Sequence, residues 1–218
     1  MADDLTAVAF HAATGVEDWR VLVSGPHARY RCAGLADGVR FAARIAEAAE
    51  RIGVAPDLDL RADGVTIRLQ SAETDRISLR ELALAQAIGA IAAQLGLVAE
   101  PSRVQVVNLA VAHAPGVDVR PFWAAALGYD PVGDEGAIDP NRRNPFLWFH
   151  PIRSGRPGRG RTHVDLSLPA DQAEARVAAA VAAGGVVVDD SHAPDWWTLA
   201  SPDRHGVDIA GWSDTDDG

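Results

Sequence analysis

The chain has little with which to cross-link itself. A single cysteine, Cys32, among 218 residues excludes an intrachain disulfide and a cysteine-built zinc site. No apolar run reaches the roughly 18 residues of a membrane-spanning segment. The acidic start Met1-Ala2-Asp3-Asp4 is unlike a secretory leader. Positive charge is scarce: 20 basic residues stand against 30 acidic ones, a formal net charge of -10, which argues against nucleic acid and anionic membrane as partners. The glycines of residues 155–160 are not followed by Gly-Lys-Ser/Thr, so there is no phosphate loop. Ser201 and His205 are close in sequence but lack the strand-to-helix elbow of a nucleophilic serine. A cytoplasmic protein is expected. Its hydrophobic content of 48% suffices for a real core in one large or two small domains.

The first hundred residues alternate between strand and helix signals. Residues 19–23 and 28–32 read as short strands around the turn Ser24-Gly25-Pro26. Residues 35–52 read as a helix whose buried face is Val39, Ala42, Ile45, Ala46, Ala49 and Ile52, with Asp37 as N-cap and Gly53 as the left-handed C-terminal residue. Residues 58–61 and 65–69 flank Asp63-Gly64, a hairpin signal. Ser78-Leu79-Arg80-Glu81 is a capping box that opens a helix to about Leu95, closed by Gly96. Together these predict a small α+β domain with an antiparallel sheet and both helices on one face. Residues 97–103 read as a linker.

A single pattern then occurs twice. Residues 104–112 are a strand, 118–127 a helix closed by Gly128, and strand signals follow to Phe146-Leu147-Trp148-Phe149-His150. Residues 162–168 begin the same order again, with a helix at 170–183 closed by Gly184-Gly185 and strands at 186–189, 196–200 and 206–210. Two such modules predict a shared cavity, because one curved sheet cannot cover its own inner face. Residues 213–218 read as a disordered acidic tail. In the strand at 162–168, Val164, Leu166 and Leu168 line one face, and His163, Asp165 and Ser167 line the other. An imidazole and a carboxylate two residues apart on a cavity wall are candidates for chemistry, His163 for proton transfer with Asp165 or Asp208 orienting it. Trp148, Trp196 and Trp197 fall in or near the same strands, as core or as platforms for a flat ligand. Arg142, Arg143, Arg153, Arg156, Arg159 and Arg161 crowd one stretch, either as a solvated loop or as a recognition element for an anionic substrate. His192 and His205 read as loop residues.

Two family resemblances follow from these residues. Pro121-Phe122-Trp123 with Leu127-Gly128-Tyr129, Phe146 to Phe149, Arg161 to Leu166, and Trp197 to Asp203 leading into Val207-Asp208-Ile209 resemble the glyoxalase-like group of the vicinal oxygen chelate superfamily over residues 104–212. The resemblance implies paired βαβββ modules forming a cup, with metal ligands on the first and last strands of each module in metal-using members. His163 stands at one such position. Val106 and Gly206 stand at others, with Asp208 one step beyond Gly206 on the same face. A rebuilt divalent-metal set of His150, His163 and Asp208 and a metal-free cup in which His163 pairs with Asp165 both remain open.

Over residues 20–96, the helix from Phe41 to Ile52, Pro56-Asp57, the strand from Val65 to Leu69, Ile77-Ser78, Leu84-Ala85 and Ile88 resemble pterin-4a-carbinolamine dehydratase. That family dehydrates a hydroxylated pterin with a His-His-Pro segment and a later histidine. Here those positions are Val54, Ala55 and Ala72, which cannot move a proton. The resemblance implies a homo-oligomer, expected as a homodimer. The sequence therefore predicts an α+β chain in which residues 1–98 form a dehydratase-like domain without its catalytic histidines and residues 104–212 form a glyoxalase-like cup. The cup is expected to bind a small molecule through Asn108, Trp148, His150, Trp197 and Asp208. The alternatives are a divalent-metal lyase, isomerase or dioxygenase in the cup, and a pterin-related role for the first domain.

Overall fold

The computed structural model describes residues 4–69, 77–116, 118–152, 162–200 and 206–212. Ala72, Arg153, Arg156, Arg159, Arg161, Ser201, His205 and the tail 213–218 lie outside the described residues. The chain divides into two compact units, one running to Val104 and taking in Trp212, the other Gln105–Gly211, and the fold is mixed α+β. No helix among the described residues is long and apolar enough to cross a membrane.

The first unit contains β1 (Asp4–Leu5), α1 (Ala7–His11), β2 (Arg20–Leu22), β3 (Gly25–Arg31), α2 (Leu35–Ile52), β4 (Asp57–Arg61), β5 (Gly64–Arg68), β6 (Ile77–Ser78), α3 (Leu79–Gln94) and β7 (Val98–Ala99), then a 3-10 turn at Pro101–Arg103. β2, β3, β5 and β4 form an antiparallel sheet in that order. Ala28, Tyr30, Val65 and Ile67 point to the face covered by Phe41, Ile45 and Ala48 of α2 and Leu84, Ile88 and Ile91 of α3. Ser78 and Glu81 close the capping box at the start of α3, and Gly53 ends α2 in the left-handed region at φ 79°. The N-cap of α2 is Gly34, which has no side-chain cap; Asp37 sits inside the first turn and pairs with Arg40 instead. Nor are residues 97–103 a free linker. Val98–Ala99 pairs with β3, and Glu100 accepts from the buried Arg29 (Nε to Oε2, 3.1 Å), whose other arm reaches Asp63 at 2.9 Å. A buried guanidinium needs such partners, and they draw this segment onto the sheet.

The second unit contains β8 (Val106–His113), α4 (Arg120–Leu127), β9 (Asp130–Val132), β10 (Gly136–Ile138), β11 (Phe146–Pro151), β12 (Thr162–Pro169), α5 (Ala170–Ala182), β13 (Val186–Asp189), β14 (Trp196–Ala200) and β15 (Gly206–Trp212). Its eight strands form one sheet in the order β13-β14-β15-β12-β8-β11-β10-β9. Each module thus has its last strand beside its first, and the two first strands, β8 and β12, join the modules antiparallel at the centre. Val111, Ala137, Leu147 and Phe149 pack with Val119 and Trp123 at α4, while Leu168, Leu199 and Ile209 pack with Val177 of α5. Both helices therefore cover the same face, an arrangement consistent with a glyoxalase-type cup. Gly211 permits it on the α5 side: a Cβ there would lie 2.9 Å from the Ala173 Cβ.

In the first unit, burial, opposed by the nearby Gly25 carbonyl, pushes the His27 imidazole down to about 4, with Arg68 adding to the effect. Its folded value lies below the unfolded one, so stability is full above about pH 6.5 and is lost as pH falls toward 4. Between pH 7 and pH 4.5 the wild type should lose about 2–3 kcal/mol more than His27→Gln in urea unfolding. Equal losses in the two proteins would show that His27 is not the group responsible.

Candidate functional site

Register alone sorts the side chains of the central strands. His163 pairs with Ala110 and Asp165 with Asn108 across β12 and β8, while Phe146, Trp148 and His150 of β11 pair with Asn108, Ala110 and Ala112. Paired residues share a face. Asn108, Phe146, Trp148, His150, His163, Asp165 and Ser167 therefore line the face opposite the two helices. Asp208, paired with Thr198 on β14, joins them from β15.

Three of these groups converge. The His163 Nε2 lies 3.2 Å from an Asp165 oxygen and 3.5 Å from an Asp208 oxygen. One ligand atom from each residue fits within 4.8 Å of the others. His163 is only 7% exposed, and Ser167 5%, so the polar face of β12 is buried rather than turned to bulk water. Gly206 makes room for this: a Cβ there would come 3.3 Å from the Cβ of His163. The position where the resemblance places a carboxylate is thus filled by the approach of the histidine, and Asp208, two residues on, supplies the carboxylate.

Two expectations are corrected. His150 does reach toward the site, with its ring centroid 5.5 Å from that of His163. It is not part of the convergent group, because β8 separates its strand from β12. Asp165 takes its place, being two residues along the same strand from His163 and on the same side. Trp197 does not face the cup. It pairs with Ile209 and packs against Leu168, Val177 and Leu199 beneath α5; its neighbour Trp196 carries the opposite parity and stands on the cup face, stacked on His192 at 3.9 Å between centroids.

One organising residue escaped the sequence reading. Asp139 is 5% exposed and accepts from the backbone N–H groups of Asn141 (2.8 Å), Arg143 (3.1 Å) and Asn144 (3.0 Å), and from the Asn144 side chain (2.7 Å). These donors hold its carboxyl below the usual carboxylate range. The loop that leads into β11, with Arg142 in the left-handed region at φ 52°, is thereby wound around one carboxylate. The sequence signal was Asp-Pro-Asn, a turn-forming run.

The group His163, Asp165 and Asp208 meets a divalent cation's requirement for one imidazole and two carboxylate oxygens. Atoms that share a metal at about 2.1 Å lie about 3–3.5 Å apart, close to the separations observed around Nε2. The same atoms equally allow His163 to donate its Nε2 proton to Asp165 without any metal.

Comparison with known families agrees with this geometry. Residues 108–210 match the family model described as a glyoxalase-like domain, and residues 3–91 match that of pterin 4 alpha carbinolamine dehydratase. No curated protein matches the chain significantly.

The assignment of faces predicts opposite outcomes for adjacent residues. Phe149→Ala, on the helix side at 2% exposure, should cost about 3–5 kcal/mol. Trp148→Ala, at 45% exposure, should cost about 1 kcal/mol or less. Urea unfolding of the two variants measures both, and a reversed order would mean that β11 carries the other register.

Proposed function

We propose that this chain, which joins a pterin-4a-carbinolamine dehydratase domain to a glyoxalase-like domain, binds a small organic molecule on the helix-free face of the glyoxalase-like sheet. The observation that supports this best is the buried His163 between Asp165 and Asp208, on a face that also carries Asn108, the half-exposed Trp148 and His150. An imidazole is the side chain suited to moving a proton near neutral pH, and its carboxylate partners orient the ring. In an enzymatic reading of the lyase kind, His163 takes or gives the proton. Asp165 and Asp208 hold its Nε2, and Asn108 and Trp148 position the ligand. The dehydratase domain acts as a dimerising or binding module, since Val54 and Ala55 replace the paired histidines that its chemistry needs.

A thermal-shift panel of pterins, small carboxylates and amines tests this. A ligand at about a hundred times its dissociation constant should stabilise the protein by roughly 2.7 kcal/mol, and His163→Ala should abolish the shift. A shift that survives both His163→Ala and Trp148→Ala would place binding elsewhere. No measurable acceleration of carbinolamine dehydration is expected; an acceleration over buffer would overturn the reading of the first domain.

A second reading, a divalent-metal lyase, isomerase or dioxygenase, is favoured by the convergence of three ligand atoms within 4.8 Å. His163, Asp165 and Asp208 would hold the ion, which when bound would polarise a substrate oxygen as a Lewis acid. Protein purified without chelator should then carry about one equivalent of metal, lost in Asp208→Asn. A content below about a tenth of an equivalent would sink the metal reading and leave the small-molecule reading standing.

A further inference from the structure

We infer that β13, an open edge of the glyoxalase-like sheet, pairs antiparallel with β13 of a second copy of this chain. The inference stands apart from the small-molecule reading and uses none of its residues.

The sheet of the second unit ends in two edge strands, β13 and β9. An edge strand offers N–H and C=O groups to any other strand, and chains that stay apart blunt such edges with proline or charge. β9 is blunted in that way: its residues are Asp130, Pro131 and Val132, and Pro131 has no N–H to give. β13 holds the corresponding place in the second module and reads Val186-Val187-Val188-Asp189. Its valines are 56%, 40% and 43% exposed. The register shift between Val187 and Asp189 adds twist but brings neither charge nor proline to the valines. Val187 pairs with Leu199 and so shares the face that α5 covers, where Leu168, Leu199 and Ile209 are fully buried. The helix stops short of the edge. The chain turns from α5 into β13 through Gly184, left-handed at φ 100°, and Gly185, whose Cβ would lie 2.9 Å from the Ala180 carbonyl oxygen. Val181, in the last turn of α5, is exposed beside it. Apolar cover for Val187 can come only from beyond the edge.

The sequence of the strand selects the partner. Gly184-Gly185 precedes the valines and Asp189-Asp190 follows them. Antiparallel pairing of two copies centred on Val187 sets Val186 against Val188 and Asp189 against Gly185, so no acid faces an acid. A parallel pairing in register would set Asp189 against Asp189. Two chains of formal charge -10 repel each other over most of their surface, whereas residues 177–188 contain no charged side chain. Pairing of β13 with β9 of another copy would be head-to-tail and open-ended, and Pro131 opposes it. The twofold pair closes on itself and leaves only the two blunted edges outside.

Sedimentation equilibrium of the full chain tests this. Val187→Lys should halve the mass of the wild-type assembly with the far-UV spectrum retained, and Val132→Lys, on the other edge, should leave the mass unchanged. Cross-linking reads the register. Directly opposed Cα atoms lie about 4.5–5.5 Å apart, within disulfide reach, so Val187→Cys under mild oxidation should give a covalent dimer that thiol reverses. Val186→Cys stands opposite Val188 of the second copy, roughly 8 Å from its own counterpart, and should cross-link at least about tenfold more slowly. Cys32 is buried, so the oxidised wild type serves as the blank. Should Val187→Lys fail to fold, the two cysteine variants decide alone. A wild type that sediments as a single chain at every concentration would overturn the inference and leave the edge to a strand of another protein. An unchanged mass in folded Val187→Lys would overturn it too, as would Val186→Cys cross-linking as fast as Val187→Cys, or no cross-link in Val187→Cys.

Discussion

The second unit depends on one pairing, the antiparallel contact of β12 with β8. Each module has a parallel contact or neighbour between its first and last strands, a closure that requires a long crossover, supplied here by a helix and two short strands. The β8–β12 ladder makes the two modules one sheet. It also fixes the functional face, because a slip of one residue would send His163, Asp165 and Ser167 under the helices and bring Val164 and Leu166 out. The hydrophobic clusters under α4 and α5 resist that slip. The apolar side chains thereby decide where the polar ones point.

Both units bury polar groups, with different consequences. In the first, Arg29 is enclosed by Asp63, Glu100 and Thr66, so its charge is matched within the unit and its task is to hold the segment after α3. In the second, His163 meets two carboxylates at one nitrogen, on the sheet face opposite the two helices. A network that ties one segment to the sheet holds the structure together, whereas a convergent one on a face without helices is a place for a ligand or an ion. This contrast is why the functional proposal centres on His163 rather than on the equally buried His27.

Much of the fold is legible residue by residue. The Ser78–Glu81 capping box, the left-handed Gly53 and Gly128, and the alternation in β8, β11 and β12 are local patterns, and each has a local structural result. The failures share a cause. Asp37 looked like a cap because position and residue type suit one, but the chain enters α2 at Gly34. Residues 97–103 looked like a linker because nothing local shows that Arg29, some seventy residues earlier, requires a partner. Trp197 was placed in the cup because two adjacent tryptophans offer no parity of their own. Only the pairing with β15 shows that Trp196 faces one way and Trp197 the other.

By itself the sequence determined the main helices, most of the strands, the twofold module and the candidate residues of β12, since these rest on periodicity and on turn and cap chemistry within a few residues. The tertiary structure decided which carboxylates meet the imidazole. His163, Asp165 and Asp208 lie on two strands, β12 and β15, and their convergence depends on strand order, register and the missing side chain at Gly206. Those are relations between segments far apart in the chain, which spacing along one strand cannot encode.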